Sequence, residues 1–122
     1  MARRDRSPAL VAAIAALVAC APIDGPRLTS IEPAAGRRGT TVTLVGTDLC
    51  GGTATAAGDC APLPSGAVDF GLSPPMVRAV IRSWADAQIT ATVPAPVADG
   101  ATSVYVTVDG RTSNALDFEV LP

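Results

Sequence analysis

Ser30-Ile31-Glu32-Pro33-Ala34-Ala35-Gly36-Arg37-Arg38-Gly39-Thr40-Thr41-Val42-Thr43-Leu44-Val45-Gly46-Thr47 reads as a short strand, a Pro/Gly-rich turn and a second strand. Pro33 ends the first strand, because it has no N–H to give to a ladder. Gly36 and Gly39 are expected to supply turn conformations closed to most residues. From Thr41 to Val45, Val42 and Leu44 point one way and Thr41, Thr43 and Val45 the other, the period-2 pattern of a half-buried strand.

The same pattern recurs towards the C-terminus. Leu28 and Ile31 are the inward positions of a first strand from Arg27. Val68 and Phe70 face inward in Ala67-Val68-Asp69-Phe70. Met76 to Trp84 is one extended piece, with Val80 as its core contact and Arg78 and Arg82 solvated. Gln88 to Val93 buries Ile89, Ala91 and Val93 before Pro94. Ser103 to Val108 buries Val104, Val106 and Val108, and Asp109-Gly110 is a hairpin signal. The last strand turns Leu116, Phe118 and Val120 inward. About seven short strands separated by turn signals predict an all-β fold, a β-sandwich over residues 27–122.

Composition narrows the chemistry. The 122 residues hold no His, and all nine basic residues are Arg. Without His the commonest general base and metal ligand are missing, and Ser/His/Asp and Cys/His catalysis in their usual forms with them. Without Lys there is no Schiff-base nucleophile. The expectation is therefore no enzyme, no cofactor and no metal. Removing Arg3, Arg4, Arg6 and Asp5 with a leader leaves six Arg against ten acids, a net charge of −4. A mildly acidic chain without a basic patch predicts no nucleic-acid partner.

Residues 1–19 follow the plan of a secretory signal peptide: three Arg at the start, then an unbroken apolar run from Ala9 to Ala19. Eleven residues fall short of the about 20 that span a bilayer. A short buried helix or an N-terminal anchor is the bland alternative. The run ends in Leu17-Val18-Ala19-Cys20, which resembles the bacterial lipobox. That predicts cleavage between Ala19 and Cys20 and lipidation of the Cys20 thiol, several acyl chains giving a stable anchor where one is marginal. The competing reading leaves Cys20 as a plain thiol. Residues 20–26, with two Pro and a Gly, form a lipidated tether. By resemblance to Gram-negative lipoproteins, Ala21 is not the Asp that retains a protein at the inner membrane. The expected location is the cell envelope, at the outer membrane if the organism has one.

Asp48 to Gly66 interrupts the strands with a loop of small residues that is expected to bury little. Cys50 and Cys60 bracket its first half, and in an oxidising compartment they predict a disulfide. Two free thiols are the alternative. A metal site would need further ligands that the loop does not offer.

In this order the residues resemble the IPT/TIG family of immunoglobulin-like modules. Ile31-Glu32-Pro33, Gly36, Gly39 and Val42 to Gly46 look like its opening, and Val68-Asp69-Phe70-Gly71 like its central strand. Trp84-Ala85-Asp86-Ala87-Gln88-Ile89-Thr90-Ala91-Thr92-Val93-Pro94 is similar to its Trp-to-Val-Pro segment. Gly100, Val104 to Val108, Gly110, Ser113-Asn114 and Phe118 resemble its closing hairpin. The 50–60 insertion is longer than that loop usually is. The resemblance implies a spacer, dimerisation surface or binding platform, not an enzyme.

Two aromatics are candidates for surface contact. Trp84 either anchors a partner or covers an edge of the sandwich. Tyr105 alternates to the outer face. Asp48, Asp59 and Asp69 offer oxygen ligands for Ca²⁺ but also read as ordinary turn and strand residues. The reading is a non-catalytic, lipid-anchored envelope protein that meets the membrane through Cys20 and a protein or glycan through its loops. The alternative is a carbohydrate-binding accessory domain, which Trp84 and Tyr105 exposed on one face would favour.

Overall fold

The computed structural model describes residues 25–71 and 76–122. The signal peptide, Ala19, Cys20 and most of the tether lie outside the described residues. The fold is an immunoglobulin-like β-sandwich. One sheet is antiparallel, with strand order β1 (Arg27–Glu32), β3 (Thr41–Thr47), β7 (Gln88–Thr92), β6 (Val80–Trp84). The other runs β2 (Ala35–Arg37), β10 (Leu116–Leu121), β8 (Gly100–Val108), β4 (Gly66–Phe70), β5 (Val77–Arg78), with β9 (Arg111–Thr112) also on β8.

Alternation places the core where the pattern demands. Leu28, Ile31, Val42, Leu44, Ile89 and Ala91 face Val68, Phe70, Val104, Val106, Phe118 and Val120, all buried. Phe70 and Phe118 meet edge to face, their centroids 5.6 Å apart at 86°, the arrangement that ring quadrupoles favour. Asp109 and Gly110 both have positive φ, 49° and 85°. That is the type I′ geometry whose twist matches the flanking strands β8 and β9. Gly46 has another reason to be glycine: a Cβ there would run into the Arg27 carbonyl of β1.

The chain passes between the sheets several times, and two of these crossings differ from the sequence expectation. The Pro/Gly stretch after β1 is not wholly turn. Ala35 to Arg37 form β2, parallel to β10 in the opposite sheet. Gly36 is buried within that strand beneath Thr40, and only Gly39 has the positive φ of a turn residue, 89°. The second crossing is at Ala79. Met76 to Trp84 is two strands, β5 on β4 and β6 on β7. Ala79 lies between them, buried, its N–H bonded to the Val68 carbonyl at 2.9 Å. The switch reverses which side faces in, so Val80 is 61% exposed and is not the core contact. Ala79 and the half-buried Ile81 take that place.

Both crossings orient the strands consistently. β1, β3 and β6 run away from the end of the sandwich that holds Gly25, Asp48 and Asp109, or towards it, in strict antiparallel order. We call this the proximal end. The opposite, distal end holds Glu32, Thr41, Val80, Thr92, Gly100 and Val120.

Candidate functional site

The 48–65 loop is held at the proximal end by several independent ties. Cys50 and Cys60 form the disulfide that their spacing and compartment predicted. Leu49, just before it, is fully buried, so this stretch buries more than its small residues suggested. The Thr53 hydroxyl lies 2.9 Å from the Cys50 carbonyl and 2.8 Å from that of Pro62. Thr55 N–H bonds the Asp59 carbonyl at 2.7 Å, and Gly58 N–H that of Thr55 at 2.9 Å, closing a small turn.

Asp86, in the turn between β6 and β7, fastens this loop to the sandwich. Its Oδ1 accepts from Cys50 N–H at 3.1 Å. Its carbonyl accepts from Leu49 N–H at 3.1 Å, and its own N–H donates to the Gly58 carbonyl at 2.9 Å. A carboxylate reaching backbone N–H groups is among the stronger hydrogen bonds a loop can make. Reading the sequence placed Asp86 only within a family pattern. An Asp in a tight turn opposite an insertion is the signal that marks such a clamp.

Trp84 completes the corner. Its Nε1–H donates to the Leu49 carbonyl at 2.6 Å. Its ring lies across Gly66 of the opposite sheet, where a Cβ would come within 2.6 Å of Cη2. The indole is half-buried and packs on the core. It covers the proximal edge between the sheets, and its polar atom is already engaged. Tyr105 is on the outer face of β8, in the other sheet, with its hydroxyl 3.1 Å from Met76 Sδ. The two aromatics do not share a face.

The three candidate carboxylates do not converge. Asp48 opens the loop with φ 57°, Asp59 pairs through its backbone with Ala85, and Asp69 is on β4. Among the described residues no three Asp, Glu, Cys or His side chains are placed to hold a metal ion. Asp69 is buried on the outer face of its sheet and accepts from Arg78 Nε at 3.1 Å. That bond and the carboxylate's charge push the Arg78 guanidinium above its ordinary pKa. Nothing in the alternation showed this, because an outward Asp on a strand is ordinarily solvated.

A concavity of about 510 Å³ opens at the proximal end between Asp48, Gly51, Asp109 and Arg111. Asp109, in the β8–β9 turn, is committed to the end of the 48–65 loop: Oδ1 accepts from Ser65 N–H at 3.0 Å, and its N–H donates to the Ser65 carbonyl at 2.7 Å. The cleft holds two acids and one Arg and no nucleophile beside a base.

The sequence profile of the IPT/TIG domain family matches residues 26–120. The chain belongs to the IPT/TIG family. Members of that family are immunoglobulin-like structural and interaction modules, which accords with the sandwich described above. No curated protein matches the chain. Among solved structures, the gamma-CGTase of alkalophilic Bacillus clarkii superposes with a TM-score of 0.60 at 24% identity. The alignment covers 80% of this IPT/TIG chain and 12% of the enzyme. A Bacteroides thetaiotaomicron protein gives 0.48 at 10% identity, over 79% of this chain and 18% of its own. At 24% identity the likeness to the first is one of fold.

Proposed function

We propose that the chain is a non-catalytic, lipid-anchored protein of the cell envelope whose IPT/TIG domain is a structural or protein-interaction module. One juxtaposition carries the reading. The family match begins at residue 26, six positions after the Cys20 that ends a lipobox-like stretch. An exported, acylated cysteine followed at once by a binding module is an arrangement for display at a membrane. The disulfide between Cys50 and Cys60 supports an oxidising compartment. The cell envelope, and the outer membrane where there is one, is the location this implies.

A carbohydrate-binding accessory role would call for an exposed aromatic strip. Trp84 is turned into the proximal corner and Tyr105 is on the other sheet, so the interaction-module reading is preferred.

The test is Cys20→Ala. The variant should appear in the soluble fraction and lose palmitate labelling. Unchanged membrane association would sink the anchor. A pull-down from envelope extract with the mature domain, beside a glycan array, then separates a protein partner from a sugar.

A further inference from the structure

The lipid-anchor reading has a geometric consequence. Cys20 and Gly25 are five residues apart, which is at most about 17 Å of fully extended chain. Gly25 is at the proximal end, against the Arg111 side chain. β8 alone, nine residues long, gives the sandwich a length of about 30 Å. A domain standing on its distal end would lift Gly25 further from the bilayer than the tether reaches. The inverted orientation is therefore closed to an anchored chain.

An independent feature lies at the same end. Leu63, in Pro62-Leu63-Pro64 before β4, is 65% exposed, the most exposed of the large apolar side chains among the described residues. Ala54, Ala56, Ala57 and Ala61 of the same loop are exposed as well. The charged groups at this end are Asp48, Asp59, Asp86, Asp109, Arg27 and Arg111, four acids against two Arg, a net acidic set that gives a lipid surface no electrostatic pull. Apolar contact is what this surface can offer.

We propose that the proximal end, with the exposed Leu63 of its 48–65 loop, rests on the lipid surface in which Cys20 is anchored. The proposal rests on the lipid-anchor reading. It gives the 50–60 insertion a role: a stiff apron of mostly small residues, braced by the disulfide and Asp86, that props the domain upright. The distal loops are then the ones presented to a partner. A single Leu adds little affinity of its own. It acts because the acyl chains already hold it at the surface, where the effective concentration is high.

The experiment uses the full chain, exported, purified from membranes and placed in vesicles carrying a nitroxide on the lipid headgroup. Leu63→Cys and Ala98→Cys each receive a thiol-linked fluorophore; Ala98 is an exposed residue of the distal end. The probe at position 63 should be quenched severalfold more than the probe at 98. In the unaltered chain Trp84, the one tryptophan, should be quenched too, and this needs no new thiol near the disulfide. Intact mass is measured on every sample. Acyl mass present with equal quenching at 63 and 98, and no quenching of Trp84, overturns the orientation and leaves the anchor standing. Acyl mass absent overturns both.

Discussion

Asn114 holds Leu28 by both of its backbone groups: Oδ1 accepts from Leu28 N–H at 2.7 Å, and Nδ2 donates to the Leu28 carbonyl at 2.9 Å. The residues are 86 positions apart in the chain. Leu28 is on β1, an edge of its sheet, and an open edge is a template for pairing with another chain. The amide side chain stands in for a neighbouring strand at that point. Asn114→Ala should lower stability by about 1–2 kcal/mol, the net worth of two such bonds. It should also raise self-association at high concentration. Urea unfolding and sedimentation measure the two effects, and an unchanged midpoint would contradict the role.

The disulfide closes a short loop, with its cysteines ten positions apart. In the chain-entropy account, losing it costs about 3 kcal/mol. Urea unfolding with and without reductant should show that difference. Alkylation without reductant should add no mass at Cys50 or Cys60; two alkylated thiols would refute the bridge.

Trp84 is tied through one hydrogen bond and one tight ring contact, and each has its own variant. Trp84→Phe keeps most of the ring and removes the N–H, leaving the Leu49 carbonyl without its partner at a cost of about 1–2 kcal/mol. Gly66→Ala puts a methyl within 2.6 Å of Cη2 and should cost about 1–3 kcal/mol through overpacking. Since Trp84 is the one tryptophan, its emission should shift in Gly66→Ala. An unmoved spectrum and midpoint would show that the ring does not depend on that gap.

Asp69 and Arg78 are unequal partners, the carboxylate buried and the guanidinium 71% exposed. Solvent screening limits the worth of such a pair, so the coupling in an Asp69→Asn, Arg78→Ala double-mutant cycle should be below about 1 kcal/mol. It should shrink in high salt. Arg78→Ala alone should cost more than the coupling, because it leaves a buried carboxylate unpaired. A single-variant cost no larger than the coupling would overturn that account.

Much of the frame was legible because each strand has one wet face. Val42, Leu44, Ile89, Val104, Val106 and Phe118 were readable from alternation alone, as was the Asp109-Gly110 hairpin. Alternation failed where the chain changes sheets. At Ala79 the pattern shifts by one, and a sequence window has no means of seeing that Val68 captures the Ala79 N–H. Asp69 was illegible for a related reason: its cover comes from Arg78, on a neighbouring strand, and not from its own strand. Asn114 and Asp86 act over 86 and 36 positions. Their residue types suit turns, and only the fold chooses the backbone each one reaches. Cys50 and Cys60 could be paired in advance because they bracket one loop and the leader-like N-terminus pointed to an oxidising compartment.

The direction of β1 has a mechanical consequence. It starts at the end from which residue 25 emerges and runs antiparallel to β3 through registered pairs from Arg27–Thr47 to Glu32–Thr43. β10 finishes at the opposite end, where Leu121 pairs with Arg37. A pull between residues 25 and 122 therefore acts along the strands. β1 must slide past β3, and its hydrogen bonds, with those of Asn114, share the load together instead of opening one after another. Under tension the domain behaves as a lap joint and not as a zip.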